Sequence, residues 1–358
     1  MRVVVVGGGV GGLTTAAILA RNGVQVDVLE RRGEFSDRGT ALGIWPQAAR
    51  ALDRAGCGDD LRRIAFPQTS GRIRRWDGAV LAHISVREPT YLISRPLLLQ
   101  LLYERVPRGS VSFGSAKNGL ADLADYDAIV LADGSGSRLR EELWGPAARP
   151  YPLPCRVWRG TYDGARSNTE ESWGPGALWG LTPREDGRTN WFACVHHDRT
   201  GDRRDVALLE QAYADWHREV YDALQQVNVS VAHGQTALVH DLAESPRLKS
   251  YVDGRVALIG DAAHTMAPNL GRGACEAIID GVVLGQALVD QERADAALRV
   301  YNRARRRPTQ RLVRGARLMS RLALARHGMR TRDTVLHLAS RLGPSDHTVS
   351  DRPTQHRR

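Results

Sequence analysis

Three glycines, Gly7, Gly9 and Gly12, constrain the fold of this chain more than any other feature of its sequence. They lie between Arg2–Val6, a β-branched run typical of a buried parallel strand, and Leu13–Arg21, which predicts a helix. A second strand is predicted directly after that helix. The unit is therefore a βαβ crossover, which opens a doubly wound, mostly parallel sheet.

The glycine spacing is typical of a dinucleotide-binding turn. Gly7 permits the tight turn, Gly9 lets a pyrophosphate approach the backbone, and Gly12 lets the helix pack on the sheet. The helix N-terminus then offers N–H donors and partial positive charge to phosphates. Glu30 ends the second predicted strand, Gln25–Glu30, where its carboxylate can accept two hydrogen bonds from a ribose. This motif does not separate NAD from FAD.

A second motif, GDAAH at residues 260–264, follows a predicted buried strand, Arg255–Ile259. Asp261 is therefore expected at the carboxyl edge of the sheet, where ligands bind in such folds. A carboxylate there suits a polyol such as the ribityl chain of FAD, which NAD lacks. Residues Pro268–Gly273 then lead into a predicted helix, Ala274–Asp290, whose N–H groups and dipole would stabilise negative charge on a reduced flavin.

A third motif, with Asp133, Gly134, Ser137 and Arg140, directly follows the predicted strand Tyr126–Ala132. The first two residues favour a turn beside the phosphate loop. The arginine is predicted to reach a phosphate oxygen, although the motif alone is equally typical of a helix N-cap.

Together, and in this order, the three motifs resemble those of the single-component (group A) FAD-dependent monooxygenases, the p-hydroxybenzoate hydroxylase-like family, which includes salicylate and urate hydroxylase-like enzymes. The resemblance runs from residue 1 to about 325 and includes Gly39–Ala49, Ser94-Arg95-Pro96 and Trp158-Arg159-Gly160. It implies that NADH or NADPH reduces FAD, that O2 then forms a flavin C4a-hydroperoxide, and that one oxygen atom enters a small substrate.

The resemblance also implies the residues that hold the cofactor. Glu30 would hold the adenosine ribose, Arg95 would approach the FAD linker, and Asp261 would bind the ribityl chain. The full set is Gly7, Gly9, Val10, Gly12, Glu30, Arg31, Arg95, Asp133, Arg140, Asp261, Pro268, Gly271, Arg272 and Gly273. The chain departs from the family at Arg272, where glutamine is frequent, and at Gly281, where alanine is frequent.

Candidates for catalysis are weaker. Tyr162, His196 or His197 is a possible base for a phenolic proton, and adjacent strand residues point to opposite faces, so at most one histidine faces the site. His264 is interpreted as a structural residue bonded to the backbone. The tryptophans Trp158, Trp173, Trp179 and Trp191 either line an aromatic pocket or form the core of a sheet.

Composition excludes several other classes. The net charge of +10 comes almost entirely from scattered arginines, with no nucleic-acid-binding motif. The four cysteines have neither metal-site nor disulfide spacing, so we expect reduced thiols and no metal. No apolar run is long enough to span a bilayer, and a strand starts after Met1, so we predict a cytoplasmic protein without stable membrane association.

The sequence thus predicts an α/β fold: a Rossmann-like FAD-binding domain interleaved with a mostly antiparallel β-sheet substrate domain and closed by C-terminal helices. The predicted boundaries are 1–70, 95–150 and 250–290 for the FAD-binding domain, 71–94 and 151–249 for the substrate domain, 291–342 for the helices, and 343–358 for a loose tail. The function is hydroxylation of an electron-rich aromatic molecule with O2 and NADH or NADPH, by a monomer or homodimer. Epoxidation, a reductase or halogenase relative, and a non-catalytic FAD-binding partner stay open.

Overall fold

Two β-sheets of different character organise the residues that the computed structural model describes, which are 1–37, 39–116 and 119–341. The predicted tail, 343–358, lies outside them. The strands are β1 (Arg2–Val6), β2 (Gln25–Leu29), β3 (Ala41–Ile44), β4 (Phe66–Arg75), β5 (Val80–Ser94), β6 (Val111–Ser112), β7 (Ala128–Leu131), β8 (Tyr151–Asp163), β9 (Thr169–Gly174), β10 (Ala177–Pro183), β11 (Arg188–His196), β12 (Leu238–Glu244), β13 (Val252–Asp253) and β14 (Val256–Leu258).

Helices surround both sheets. They are α1 (Val10–Arg21), α2 (Pro46–Ala55), α3 (Gly58–Ile64), α4 (Arg95–Tyr103), α5 (Arg138–Trp144), α6 (His197–Thr200), α7 (Leu208–Ala212), α8 (Arg218–Ala232), α9 (Asp261–His264), α10 (Gly273–Asp290), α11 (Ala294–Ala323) and α12 (Met329–Arg341). Among the described residues, none of these helices combines the length and the apolarity that crossing a membrane requires.

The first sheet is mostly parallel and has the order β13-β14-β7-β1-β2-β6. Its central strand β1 pairs in parallel with β2 on one side and β7 on the other, and β7 pairs in parallel with β14. Val3, Val4 and Val5 are fully buried because helices cover both faces. This arrangement confirms the predicted α/β class with its βαβ opening.

Helices α1 and α10 pack unusually closely on one face of this sheet. A Cβ atom on Gly281 would lie 2.7 Å from the carbonyl oxygen of Gly11, and one on Gly285 would lie 2.8 Å from Cγ2 of Ile18. Only residues without a Cβ atom fit at such a contact. The missing side chains therefore let the two helix backbones touch.

The second sheet is mostly antiparallel, with the order β12-β8-β11-β10-β9-β4-β5-β3 and one parallel pair, β4 with β9. Helices α7 and α8 cover one face, where Trp158, Trp179 and Trp191 are buried. The rings of Trp179 and Trp191 stack with centroids 5.6 Å apart. For these three tryptophans, core packing is the correct alternative. The other face packs against Met266, Ala267 and Leu270 and against α11.

The structure differs from the sequence prediction at two places near the cofactor turn. Helix α1 begins at Val10 rather than Leu13, so that Gly11 and Gly12 are helical residues. Strand β3 was not predicted, because four residues that pair only with β5 carry too little local signal. Since β3 lies within 1–70 but belongs to the second sheet, the domain boundaries stay a prediction.

We predict that Gly281→Ala lowers the free energy of unfolding by about 1–3 kcal/mol, because the added methyl group meets a backbone oxygen that cannot rotate away. Gly315→Ala in α11 is the matched control. The nearest atom to its added Cβ atom would be Leu270 Cδ1 at 3.7 Å, which is an ordinary contact. The higher helix propensity of alanine should therefore raise the free energy of unfolding of this control by about 0.5–1 kcal/mol. Urea unfolding of both variants measures the difference, and a Gly281→Ala midpoint equal to that of the native chain would refute the contact.

Candidate cofactor cleft and active site

Strands β1, β7 and β14 bring the three sequence motifs to one edge of the first sheet. The strands are parallel neighbours, so the loops after their carboxyl ends lie side by side. Gly11 and Gly260 both lie against Ala277 of α10, since Cβ atoms built on them would be 3.3 and 3.1 Å from the Ala277 Cβ atom. Segments about 250 residues apart in sequence therefore form one cleft.

The first turn has the geometry that its glycines predict. Gly7 has φ +112°, and a Cβ atom there would lie 2.4 Å from the carbonyl oxygen of Ala132. A Cβ atom on Gly12 would lie 2.1 Å from the oxygen of Gly7. Gly9 differs, because it caps α1 and its Cβ position has nothing closer than Ala132 O at 4.0 Å. The space above Gly9 is open, and Val10 begins the helix beside it.

Glu30 is held in place by backbone donors. Its Oε2 atom accepts a hydrogen bond from the N–H of Gly8 at 2.8 Å, and its Oε1 atom accepts one from the N–H of Arg32 at 2.9 Å. Both carboxylate oxygens keep further lone pairs for a ligand. Arg31 is exposed next to it, and its positive charge acts on Asp133 across the turn.

The third motif is assembled differently from the prediction. Arg140 is fully buried, and its guanidinium donates to the carbonyl oxygens of Ala262 and Ser135 at 3.1 and 2.7 Å. It therefore ties the Asp133 loop to the GDAAH turn and has no exposed donor for a phosphate. Asp133 itself has a buried Oδ1 atom without a hydrogen-bond donor, and burial raises the pKa of Asp133.

Arg95 and Asp261 lie within electrostatic reach across the cleft. Burial lowers the pKa of Arg95, the nearby charge of Arg32 lowers it further, and Asp261 and Glu30 oppose these effects. Although many protein atoms surround its guanidinium, the side chain of Arg95 is solvent-exposed and therefore accessible to a ligand. A second arginine, Arg159 of β8, feels the charges of both Arg95 and Asp261.

The segment before α10 presents backbone to the cleft. Pro268–Leu270 form a 3-10 turn, Gly271 has φ +60°, and Gly273 begins α10 with nothing within 4 Å of its Cβ position. Arg272 does not project a free charge toward this space. Its guanidinium donates to Glu276 at 2.7 and 3.1 Å, and its Cζ atom lies 5.5 Å from the centroid of the Trp45 ring.

A buried ionic network supports this turn from below. Asp280 accepts hydrogen bonds from Gly260 N–H at 2.9 Å, His264 Nε2 at 2.5 Å and Arg305 Nε at 2.6 Å. Burial opposes its charge, but His264 and Arg305 hold the pKa of Asp280 at about 2. Arg305 also donates to Glu276 at 2.5 Å. The sequence predicted that His264 is bonded to the backbone, whereas in the structure its side chain pairs with the carboxylate of Asp280.

One transverse row of the second sheet faces the GDAAH side of the cleft. Register places Ile73, Glu171, Gly180, Phe192 and Arg159 directly opposite one another on successive strands, so their side chains share a face. Ile73 and Phe192 of this row pack with the segment 266–270. Burial raises the pKa of Glu171, whose Oε2 atom accepts from Trp173 Nε1 at 2.9 Å.

The three candidate catalytic residues lie elsewhere. Tyr162 belongs to the tryptophan face of the sheet, because it is three residues along β8 from Arg159 and side chains alternate. His197 binds Asp241 at 3.2 Å, next to Arg156 on that same side. His196 is opposite Cys155, four residues (about 13 Å) along the strands from the Phe192–Arg159 pair. The structure therefore brings none of these three residues next to the Phe192–Arg159 pair.

Sequence reasoning missed Glu171, His240, Glu276, Asp280 and Arg305. A partial signal existed in α10, where Glu276 and Asp280 are four residues apart and so share one helical face. Two acids on the buried face of a helix require cationic partners. Nothing in the sequence pairs them with Arg305 of the next helix, because that contact depends on how the two helices pack.

The cleft fits a flavin dinucleotide. The open position above Gly9 and the N–H groups of the first turn of α1 suit a pyrophosphate. Buried acceptor atoms without donors, Asp133 Oδ1 and Asn269 Oδ1, lie in two of the segments that border the cleft. Such orphaned acceptors suit the hydroxyl and imide donors of FAD.

Comparison with known proteins gives the same result. A family model described as "FAD binding domain" matches residues 1–143 and 162–316. The chain is 31% identical over 327 residues to 3-amino-4-hydroxybenzoate 2-monooxygenase PtmB3 of Streptomyces platensis, covering 80% of this chain and 79% of that protein. It is 28% identical over 343 residues to an FAD-dependent urate hydroxylase of Klebsiella pneumoniae, covering 85% and 86%.

Solved structures share the fold. An HpxO variant of Klebsiella pneumoniae complexed with FAD superposes with a TM-score of 0.83 at 25% identity, over 96% of this chain and 95% of that chain. A salicylate hydroxylase substrate complex gives a TM-score of 0.77 at 22% identity, over 96% and 94%.

We predict that Arg305→Met lowers the free energy of unfolding by about 3–5 kcal/mol, because Asp280 and Glu276 lose a buried cation. Arg303→Met, on an exposed position of the same helix, is the control and should change stability by less than about 0.5 kcal/mol. Thermal and urea unfolding measure both. Equal stability of the two variants would show that the network contributes nothing.

We also predict a pH-dependent difference between the native chain and His264→Gln. Burial lowers the pKa of His264, but Asp280 outweighs this, so the net shift is upward. The imidazolium therefore contributes its full stabilisation below the unfolded value of about 6.5 and loses it as pH rises through the folded value. Urea unfolding should give a larger stability difference at about pH 6 than at about pH 9, whereas exposed His83→Gln should show no such trend.

Proposed function

This chain belongs to the FAD-binding family of group A monooxygenases, and from that premise we propose that it hydroxylates a small, electron-rich aromatic molecule with O2 and NADH or NADPH. The observation that carries the proposal is the convergence of the Gly9 turn, Arg95 and Asp261 on one cleft beside the Arg159 face of the second sheet. One side of this cleft suits a dinucleotide, and the other suits an organic substrate.

The cofactor-holding residues have separate roles in this proposal. The Gly7–Gly9 turn and α1 would bind the pyrophosphate, Glu30 the adenosine ribose, and Asp261 the ribityl chain. Arg95 would approach the linker, and the backbone of Pro268–Gly273 would border the flavin ring. FAD held by these residues would supply the redox chemistry, which is acceptance of a hydride from the nicotinamide and activation of O2.

The reaction balances as substrate C–H plus O2, NAD(P)H and a proton giving C–OH, NAD(P)+ and water. Hydride and oxygen chemistry belong to the cofactor, so the protein's part is to position the substrate and exclude water. The face that carries Phe192 and Gly180 supplies a flat apolar wall for a ring. The similarity of this chain to a urate hydroxylase and to a 3-amino-4-hydroxybenzoate monooxygenase supports an aromatic substrate.

Arg140 has a positioning role in this proposal rather than a phosphate-binding one, since its donors bond to Ala262 and Ser135. Nicotinamide would bind transiently, because the sequence contains one dinucleotide-type glycine turn and FAD would occupy it.

The test is NADH and NADPH oxidation by the FAD-loaded protein with a panel of phenols, aminophenols and purines. We expect one compound class to stimulate oxidation and to gain a single oxygen atom, which 18O2 labelling with mass spectrometry identifies. An alkene is tested beside this panel, and formation of its epoxide would indicate epoxidation instead of hydroxylation. If neither NADH nor NADPH reduces the bound flavin, the proposed reaction is refuted and the chain is an FAD-binding protein without this activity.

A steric variant tests the cofactor site independently. Gly9→Leu adds a side chain into space that contains no protein atom closer than 4.0 Å to the Cβ position, so the fold should persist. We expect FAD affinity to fall roughly 100-fold, equivalent to about 2.7 kcal/mol, because the side chain fills the position predicted for the pyrophosphate. Gly119→Leu, also with nothing within 4 Å, is the control. Native-like FAD binding by Gly9→Leu would place the cofactor elsewhere.

A further inference from the structure

One face of helix α11 carries positive charge that the described part of the chain does not neutralise. The helix is rich in arginine, and Asp295 is its only acid. Arg299, Arg305 and Arg317 each pair with a carboxylate. Five further arginines of the helix are exposed, and among the described residues none of them has a carboxylate within 4.0 Å: Arg303, Arg307, Arg311, Arg314 and Arg321. We call these five the arginine stripe.

The arginine stripe occupies a single face of the helix. Successive helical residues are rotated by about 100°, so positions 303, 307, 311, 314 and 321 fall within an arc of about 80°. The first four of them are also neighbours at spacings of three or four residues. Like charges at these spacings repel each other and destabilise a helix. An anionic partner along this face would remove that repulsion.

Aliphatic side chains share the face with the arginines. Val300, Leu318 and Leu322 are 44%, 61% and 38% exposed, and their positions lie within about 60–100° of Arg303 around the helix. The packed side of α11 is the opposite one, which carries Ala316. The exposed face of α11 is therefore both cationic and apolar, and this apolar surface contributes nothing to the core.

The combination identifies the partner. Cations beside aliphatic groups match the boundary of an anionic bilayer, where phosphates lie outside and acyl chains begin beneath them. Single-stranded nucleic acid favours exposed aromatic rings for stacking, but the one aromatic residue of α11, Tyr301, is buried. A second copy bound about a two-fold axis would place arginines against arginines.

We propose that the arginine stripe, together with Leu318 and Leu322, is a docking surface for anionic phospholipid bilayers. The contact is reversible and electrostatic, and it needs no membrane-spanning helix. Helix α11 also borders the segment Pro268–Gly273, since a Cβ atom on Gly315 would lie 3.7 Å from Leu270 Cδ1. Docking therefore brings the candidate cofactor cleft close to the lipid surface. This inference does not depend on the proposed reaction, and its test needs no turnover.

The test measures sedimentation of the full chain, with FAD added, with vesicles of phosphatidylcholine alone or with about 30% phosphatidylserine. We expect binding to the anionic vesicles only, and at least about 10-fold weaker binding when salt rises from about 0.05 M to about 0.5 M. The triple variant Arg307→Gln, Arg311→Gln and Arg314→Gln should bind about 100-fold more weakly, because each arginine at an anionic surface contributes about 5-fold.

A second triple variant is the matched control. Arg54→Gln, Arg87→Gln and Arg108→Gln remove the same charge from exposed positions outside α11 and should weaken binding by less than about 3-fold. The double variant Leu318→Ser and Leu322→Ser should weaken binding about 10-fold without changing its salt dependence, since its contribution is apolar.

Equal weakening by the two arginine triples would assign binding to net charge alone and overturn the proposal. Tighter binding to duplex DNA or to polyglutamate than to the anionic vesicles, at the same salt, would overturn it as well, because the surface would then serve a nucleic acid or an acidic protein. Urea unfolding verifies the fold. The α11 triple variant should be at least as stable as the native chain, because it loses like-charge pairs.

Discussion

The contact between helices α1 and α10 is the constraint on which the remaining architecture depends. The backbones meet at Gly11, Gly281 and Gly285, where a single methyl group would come within 3 Å of a neighbouring atom at the latter two positions. Helix α1 starts at the phosphate turn, and α10 starts after the GDAAH segment. Their contact therefore sets the distance between the two ends of the cleft, and the parallel strands beneath set its direction.

The ionic network below the turn complements that contact. Asp280, Glu276, His264 and Arg305 are buried, and enclosing such groups is costly unless each is paired. Here every carboxylate has a cationic partner, and Gly260 adds a backbone donor. The result is a support that joins α10, α11 and the cofactor turn in one rigid unit. Arg272, which pairs with Glu276, extends the network to the rim of the cleft.

The sequence was sufficient for the parts governed by local chemistry. The strand–turn–helix at Gly7–Gly12, the acid at Glu30 and the turn at Asp261 were all predictable, because glycine conformation and sheet topology dictate them. Roles that depend on long-range packing were not. Arg140 has the spacing of a ligand residue, but the fold buries it. Tyr162 has a phenol group, but it lies on the tryptophan face of the second sheet rather than on the face above the cleft. Arg159 was visible only as part of a family motif, since its position near Arg95 and Asp261 depends on the assembled structure.

The second sheet performs two tasks with the same strands. Along β8, alternate residues belong to the tryptophan core or to the face above the cleft, as Trp158 and Arg159 show. Gaining or losing one residue within such a strand would exchange these two sets. Substitutions on the inner surface therefore change the cleft without changing the strand pairing, whereas a change in length keeps the two faces intact only when it falls in a hairpin turn such as 184–187. A chain built in this way can change the surface of its cleft by substitution on one sheet face, while the strand register and the tryptophan core stay unchanged.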